Sequence, residues 1–183
     1  MPCVKGKTRY ALEGKIEVPL SREEFEEGIR IGDFKKDGHK AFAVLLYYTG
    51  LRKNEVRRVR KEQFQIQNGI LIFNVGKRLK HSKETQPLQL PLCLPFLNYV
   101  VDEIKRTTAN GKVFNFSDRT AYNIIRRVWH YPHHMRLTRI TKEFDKGRTI
   151  TQMQNFTGLT LQALNFYIGR VDIASIGQGL AED

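Results

Sequence analysis

The sequence predicts an α+β fold that is mostly α, with one small three-stranded antiparallel sheet. Three observations support this prediction. The chain has 183 residues, of which 40% are hydrophobic, and this is enough for one compact domain with a real core. Helical patterns, several of them capped, cover most of its length. Between them, Asn68-Gly69 separates two short apolar runs, which is the pattern of a tight type I′ hairpin.

The first half of the chain shows three helical patterns. Ser21 is followed three residues later by Glu24, a capping box that opens a helix. The apolar run 41–48 predicts a buried helix, which Gly50 interrupts. A shorter and strongly basic helix is expected over 54–61. The first twenty residues show no strong pattern.

The sheet and the remaining helices follow in order. The predicted hairpin strands are 64–67 and 70–75, and a basic loop, 76–83, leads to a third candidate strand around 86–90. Further helical patterns cover residues 95–106, 118–128, 134–144, 151–156 and 160–166. We therefore expect one domain over 19–168, a lead-in over 1–18 and a C-terminal tail over 169–183.

The charge balance indicates the class of partner. Thirty-one Lys and Arg against 19 Asp and Glu give a formal net charge of +12. Such an excess favours polyanions, because Lys and Arg displace the counterions condensed on phosphates. Nucleic acid is the expected partner, and a merely basic, soluble surface is the alternative. The sequence shows no signal sequence, no apolar run long enough to span a membrane and only two cysteines. We therefore expect an intracellular location, in the cytoplasm or nucleoid (the host cytoplasm if the chain is viral).

Three stretches carry residues suited to chemistry. In Thr49-Gly50-Leu51-Arg52, a glycine breaks a buried helix and an arginine follows, so Arg52 is expected to be anchored yet aimed away from the core. Glu55 lies one turn on, where it could orient the guanidinium. The alternative is an ordinary helix break followed by a solvated basic helix.

The second stretch is His133-His134-Met135-Arg136. His133 and Arg136 share a helical face if the helix reaches back that far. A zinc site that includes His130 is one alternative, but no cysteine or carboxylate nearby completes it. A solvated, His-rich helix start is the stronger alternative.

The third stretch ends at Tyr167, in an apolar helical pattern where a tyrosine usually belongs to the core.

Together, these stretches resemble the tyrosine recombinase family, which includes phage integrases, Xer proteins and archaeal virus integrases. Thr49-Gly50-Leu51-Arg52, with Glu55, is similar to the family's first arginine box, and His133-His134-Met135-Arg136 to its His-x-x-Arg second box. Tyr167 follows Arg136 by 31 residues (167 − 136), close to the family's usual separation. The resemblance extends from about Pro19 to Ile168, and archaeal virus and plasmid integrases are among the relatives that vary at these boxes.

The resemblance implies an enzyme that cuts and rejoins DNA through a covalent 3′-phosphotyrosine at Tyr167. Arg52 and Arg136 would bind the scissile phosphate, and His133 would assist proton transfer. A catalytic lysine is implied in a turn of the sheet. Lys83 is the preferred candidate, with Lys77 and Lys80 as alternatives. The family's chemistry requires neither a metal nor another cofactor.

The partners follow from the same resemblance. We expect double-stranded DNA at a specific recombination site, bound by a homo-oligomer of two to four copies, with the tail docking on a neighbouring subunit. The residues expected to contact DNA are basic and lie near the two boxes and in the loop: Lys53, Lys77, Arg78, Lys80 and Arg139. Family members usually carry an N-terminal clamp domain, so the chain is expected to be either a catalytic fragment or a minimal recombinase.

Two positions depart from the family pattern. The His or Trp of the third box lies nine residues before the nucleophile, and Gly158 occupies that position here. Thr157 or another side chain would have to substitute for it. Leu137 stands where the family often has His. Leu137 indicates a divergent member, and Gly158 suggests the rival hypothesis of a recombinase-derived DNA-binding protein without catalysis. A third hypothesis, an RNA-binding basic domain, leaves the spacing of the boxes unexplained.

Overall fold

The computed structural model describes residues 19–75, 87–129, 131–165 and 167. The predicted lead-in, the basic loop and the predicted tail lie outside the described residues. Within the described part, no helix is both long enough and apolar enough to cross a membrane.

The first half of the chain folds into helices that local signals begin and end. Helix α1 (Arg22–Ile31) starts with the expected capping box, in which the Ser21 hydroxyl accepts from the Glu24 amide and the Glu24 carboxylate accepts from the Ser21 amide. Helix α2 (Asp37–Thr49) is buried along its whole second half and ends at Gly50, which has φ +61°. A glycine tolerates this left-handed conformation, so the chain can reverse there.

Helix α3 (Lys53–Arg57) is shorter than predicted. The expected helix over 54–61 is wrong in its second half, where a single 3-10 turn follows at Lys61–Gln63. The backbone of this segment pairs with a distant one instead: the Val113 amide donates to the Val59 carbonyl (3.0 Å) and the Lys61 amide donates to the Gly111 carbonyl (3.0 Å). Tertiary pairing therefore replaces the helical hydrogen bonds.

The sheet has the predicted form. Strands β1 (Phe64–Gln67), β2 (Ile70–Phe73) and β3 (Leu88–Pro91) are antiparallel in the order β1-β2-β3. Both residues of the Asn68-Gly69 turn have positive φ, +49° and +73°, as a type I′ hairpin requires. The sheet buries Leu71, Phe73 and Leu90 against the core.

The second half is helical. Its elements are α4 (Leu97–Arg106), α5 (Asp118–Val128), α6 (Pro132–Asp145), α7 (Ile150–Thr157) and a terminal helical segment comprising residues 161–165 and 167. The Ser117 side chain caps α5, and a Thr149/Gln152 capping box opens α7. Helix α6 begins two residues earlier than predicted because Pro132 occupies its first turn, where a missing amide hydrogen costs nothing.

Two apolar clusters organise these elements. Helix α2 lies at the centre of the larger cluster and packs against α4, α5 and α6. A smaller cluster joins α6, α7 and the terminal segment through Leu137, Ile140, Met153, Leu159, Leu164 and Tyr167. Arg136 lies on α6 next to this smaller cluster. The prediction of a mostly α, α+β fold with one three-stranded antiparallel sheet is confirmed.

Candidate active site

The turn at Gly50 places Arg52 on the surface. The Thr49 hydroxyl donates to the Leu45 carbonyl (2.6 Å) and accepts from the Leu51 amide (3.3 Å), which fixes the end of α2. Gly50 then reverses the chain, and Leu51 is buried again. Arg52 is the N-cap residue of α3, and half of its side chain is exposed.

Glu55 binds both the backbone and the side chain of Arg52. One carboxylate oxygen accepts from the Arg52 amide (2.7 Å), and the other accepts from Nη1 (3.0 Å). An exposed ion pair of this kind contributes little to stability. Its main physical effect is to restrict the rotamers of Arg52, so that the remaining donors of the guanidinium face outward in a fixed direction.

Arg136 is buried, with 2% of its surface exposed. Its Nη1 donates to the Gly50 carbonyl (2.7 Å), and its Nη2 donates to the Thr157 carbonyl (3.1 Å). Burial and the nearby Arg52 charge lower the pKa of Arg136, while Tyr167 and Glu55 act in the opposite direction. An arginine stays protonated under ordinary conditions despite such a shift, so the structure holds a cation at the base of the site.

The two carbonyls that hold Arg136 belong to matching turns. Thr157 repeats the pattern of Thr49: its hydroxyl donates to the Met153 carbonyl (2.6 Å) and accepts from the Leu159 amide (3.1 Å). Gly158, like Gly50, is a left-handed C-cap, with φ +64°. Two Thr-Gly-Leu turns therefore flank the guanidinium, one after α2 and one after α7.

Tyr167 and His133 meet beside Arg136. The Tyr167 hydroxyl lies 3.1 Å from His133 Nε2, within hydrogen-bonding distance. Tyr167 is 5% exposed and packs in the smaller apolar cluster. Arg136 lies close enough to Tyr167 for the two side chains to interact electrostatically. Because α6 extends back to Pro132, His133 and Arg136 lie one turn apart and face the same side.

His133 and Arg136 border a cleft of about 260 Å³, whose other lining residues include Arg52, Lys53, Tyr122 and Tyr131. Two guanidiniums on one cleft favour an anion with several oxygen acceptors, such as a phosphodiester. The phenol of Tyr167 lies 3.1 Å from the imidazole of His133, which is one of the lining residues. The arrangement therefore offers two cations on the cleft and a phenol paired with an imidazole beside it.

The other residues predicted to act at the site are placed as follows. Lys53 Nζ pairs with the Asp118 carboxylate (2.7 Å). Arg139 pairs with the buried carboxylate of Glu143 (3.0 Å), and about a quarter of its side chain is exposed. Contact of either cation with DNA stays a prediction. Four more predicted residues, Lys77, Arg78, Lys80 and Lys83, lie outside the described residues.

The position of the third family box is used for helix termination. Gly158 ends α7 and has no side chain, and the Thr157 hydroxyl forms both of its hydrogen bonds within its own turn. Neither residue therefore extends a side chain into the cleft in place of the family's His or Trp. The role of the Thr157 carbonyl as a ligand of Arg136 was not predicted from the sequence. The repeated Thr-Gly-Leu could have indicated it, because the first copy stands directly before Arg52.

The chain has relatives among proteins of known sequence and of known structure. No family model matches the chain. The chain is 27% identical over 165 residues to the TnP I resolvase of Bacillus thuringiensis, which covers 85% of this chain and 56% of the relative. The chain therefore spans about half the length of the curated relative it matches.

Solved structures show the same fold. The XerH site-specific recombinase bound to its difH substrate has a TM-score of 0.67 and 18% identity, over 88% of this chain and 53% of that one. XerA recombinase has a TM-score of 0.61 and 20% identity, over 83% and 59%. The Tn1549 transposon integrase in complex with transposon right end DNA has a TM-score of 0.58 and 17% identity, over 91% and 67%. The chain adopts the tyrosine recombinase/integrase fold.

Proposed function

We propose that the chain is the catalytic part of a site-specific DNA recombinase or integrase whose nucleophile is Tyr167. The observation that carries this proposal is the position of the Tyr167 hydroxyl, 3.1 Å from His133 Nε2 and close to the guanidinium of Arg136. A tyrosine that served only the core would not need an imidazole and a buried guanidinium at its hydroxyl. Both partners come from the predicted second box.

The chemistry follows from these groups. The Tyr167 oxygen attacks the phosphorus of a DNA phosphodiester, the bond to the 5′ oxygen breaks, and a 3′-phosphotyrosyl ester forms. His133 assists transfer of the phenolic proton. The leaving 5′ oxygen takes up a proton, for which Lys83 is the expected donor. Attack by a 5′ hydroxyl on the ester then rejoins a strand and returns Tyr167.

Arg52 and Arg136 would stabilise the transition state from two sides. The negative charge on the non-bridging oxygens grows as the fifth bond forms, and planar N–H donors held in place beforehand act on that charge without reorganising. Glu55 fixes Arg52, and two carbonyls fix Arg136. The DNA complexes of XerH and of the Tn1549 integrase support double-stranded DNA as the partner, and the net charge of +12 agrees with it. Assembly on DNA as a dimer to tetramer is part of the same proposal.

A second candidate function is DNA binding without catalysis. Gly158 favours this candidate, because a glycine lacks the side-chain hydrogen-bond donor that the family usually supplies at this position. The two candidates differ in one product. Only the enzyme forms a covalent bond to DNA.

The test uses duplexes selected for binding from a random library and then nicked, so that cleavage beside the nick releases a short fragment and traps the adduct. Wild-type protein should give a protein–DNA adduct that resists denaturant. Tyr167→Phe should abolish the adduct with DNA affinity near normal, and Tyr99→Phe, on α4, should retain it. Binding without an adduct under any condition would favour the second candidate.

A mixing experiment tests the intramolecular arrangement. Because Tyr167 and Arg136 of one chain already meet, Tyr167→Phe mixed with Arg136→Lys should form no more adduct than the two variants alone. Restored cleavage in the mixture would contradict this arrangement, since it would require one copy to donate its tyrosine to another.

A further inference from the structure

Glu143, near the end of α6, is a buried carboxylate with three cationic partners. Its side chain is 1% exposed, and it lies 3.0 Å from Arg139 Nη2, 3.1 Å from Lys146 Nζ and 2.6 Å from Arg148 Nε. Burial by itself raises the pKa of Glu143, but the hydrogen bond from Arg148 and the charges of Arg139 and Lys146 lower it below its usual value. Glu143 is therefore ionised at neutral pH.

Arg139 connects this carboxylate to the turn that holds Arg136. A Cβ added at Gly50 would lie 2.9 Å from both Cβ and Cγ of Arg139, so the stem of Arg139 packs directly on the glycine. The carbonyl of Gly50 is the 2.7 Å ligand of Arg136 Nη1. The guanidinium of Arg139 also stands 5.6 Å from the centre of the Phe156 ring on α7. One side chain thus touches both structures that carry the ligands of Arg136.

Arg148 connects the same carboxylate to the start of α7. Its amide donates to the Glu143 carbonyl (3.3 Å), and its side chain donates to the Glu143 carboxylate. Thr149, the next residue, is the N-cap of α7. The other end of α7 presents the Thr157 carbonyl to Arg136 Nη2. Glu143 therefore fastens α7 to α6 at the end opposite the site.

We infer that Glu143, acting through Arg139, is a positioning residue for Arg136. The ion pair sets the distance between the Gly50 turn and α7, and so aims the two carbonyls that orient the guanidinium. This role is an alternative to the predicted contact of Arg139 with DNA. It rests on the proposed function, because Arg136 matters here as a ligand of the scissile phosphate.

The test compares Glu143→Gln with Glu26→Gln. Glu26 is a matched control: it is a mostly buried carboxylate on α1 that binds two arginines, Arg22 (2.7 Å) and Arg30 (2.9 Å), away from the cleft. Both variants raise the net charge equally, so their DNA affinities should change alike. At saturating DNA, Glu143→Gln should form the adduct about tenfold more slowly or worse, since small displacements of a catalytic group have large effects on rate. Glu26→Gln should match the wild type.

A second readout does not depend on activity. Two carbonyls restrict rotation of the Arg136 guanidinium, so nuclear magnetic resonance should resolve separate Nη hydrogen signals in wild type and in Glu26→Gln. These signals should merge in Glu143→Gln. Arg139→Met keeps an apolar stem on Gly50 but removes the ion pair, so the Arg136 signals should also merge in this variant. It replaces Glu143→Gln in the test if Glu143→Gln fails to fold.

The outcomes separate the two proposals. If wild type forms no adduct, the proposed function fails, and the Arg136 signals still decide whether Glu143 positions this residue. Unchanged signals in both Glu143→Gln and Arg139→Met would overturn the inference. So would an Arg139→Met protein that binds DNA more weakly, with a shallower salt dependence, but cleaves normally at saturation, since that is the behaviour of a phosphate contact.

Discussion

Replacing each arginine of the candidate site with lysine should affect stability differently, because the guanidinium of Arg136 is buried and bound to carbonyls, whereas that of Arg52 is half exposed. In Arg136, two terminal nitrogens bind carbonyls on different elements, Gly50 and Thr157. A lysine ammonium is a single centre and can satisfy one of them. Leaving the other carbonyl buried and unpaired costs roughly 1–3 kcal/mol. For a chain of this size, each kcal/mol lowers Tm by roughly 2–4 °C, so Arg136→Lys should lose between about 2 and 12 °C.

Arg52→Lys should leave stability almost unchanged. Half of the Arg52 side chain is exposed, and its ion pair with Glu55 can also form with lysine. The free energy of unfolding should change by less than about 0.5 kcal/mol. Catalysis should respond differently, because both variants lose a planar donor at the phosphate. Removal of one such donor lowers the chemical rate by about 10²–10³-fold.

Two assays test this contrast. Thermal unfolding followed by circular dichroism gives the Tm of each variant, and single-turnover adduct formation at saturating DNA gives the rate. We expect both variants to cleave poorly, while only Arg136→Lys is destabilised. Equal losses of Tm would refute the carbonyl-bound geometry of Arg136. A wild-type rate for Arg136→Lys would refute its role at the phosphate.

Two further predictions concern binding and the Gly50 turn. Because the net charge is +12, affinity for duplex DNA should fall on the order of tenfold or more between low and physiological ionic strength. Fluorescence anisotropy measures this affinity, and a value that does not change with salt would contradict an electrostatic interface. Gly50→Ala should lose roughly 1–2 kcal/mol from left-handed strain and more from contact with Arg139, whereas Gly69→Ala, at φ +73° with open space around it, should lose only the strain. Equal unfolding free energies for the two variants would exclude the packing of Arg139 on Gly50.

The parts of the fold that could be predicted from sequence are those that local signals specify. The Ser21 capping box, the Asn68-Gly69 turn and the break at Gly50 each depend on residues within a few positions, and each occurs where expected. The predicted helix over 54–61 is wrong in its second half for the opposite reason. Its second half pairs with residues about fifty positions further along the chain, and no local pattern indicates that pairing.

The candidate site shows the same division. The two boxes and Tyr167 could be predicted from the resemblance to tyrosine recombinases, and Arg52, His133, Arg136 and Tyr167 do lie close together. The main-chain ligands of Arg136 could not be foreseen, because any residue carries a carbonyl and only the fold selects which one is near. The buried carboxylate of Glu143 was missed for a related reason. Its position on α6 looks like that of a solvated charge, and only the fold brings Arg139, Lys146 and Arg148 around it.

The most direct test of the proposed function is to locate the bond between protein and DNA. The trapped adduct is digested with protease and nuclease, and tandem mass spectrometry identifies the modified residue. The nucleotide remnant should lie on Tyr167, the phenol that hydrogen-bonds to His133 beside Arg136. A remnant on any other tyrosine, or on no residue although the DNA is bound, would contradict the assignment of Tyr167 as the nucleophile.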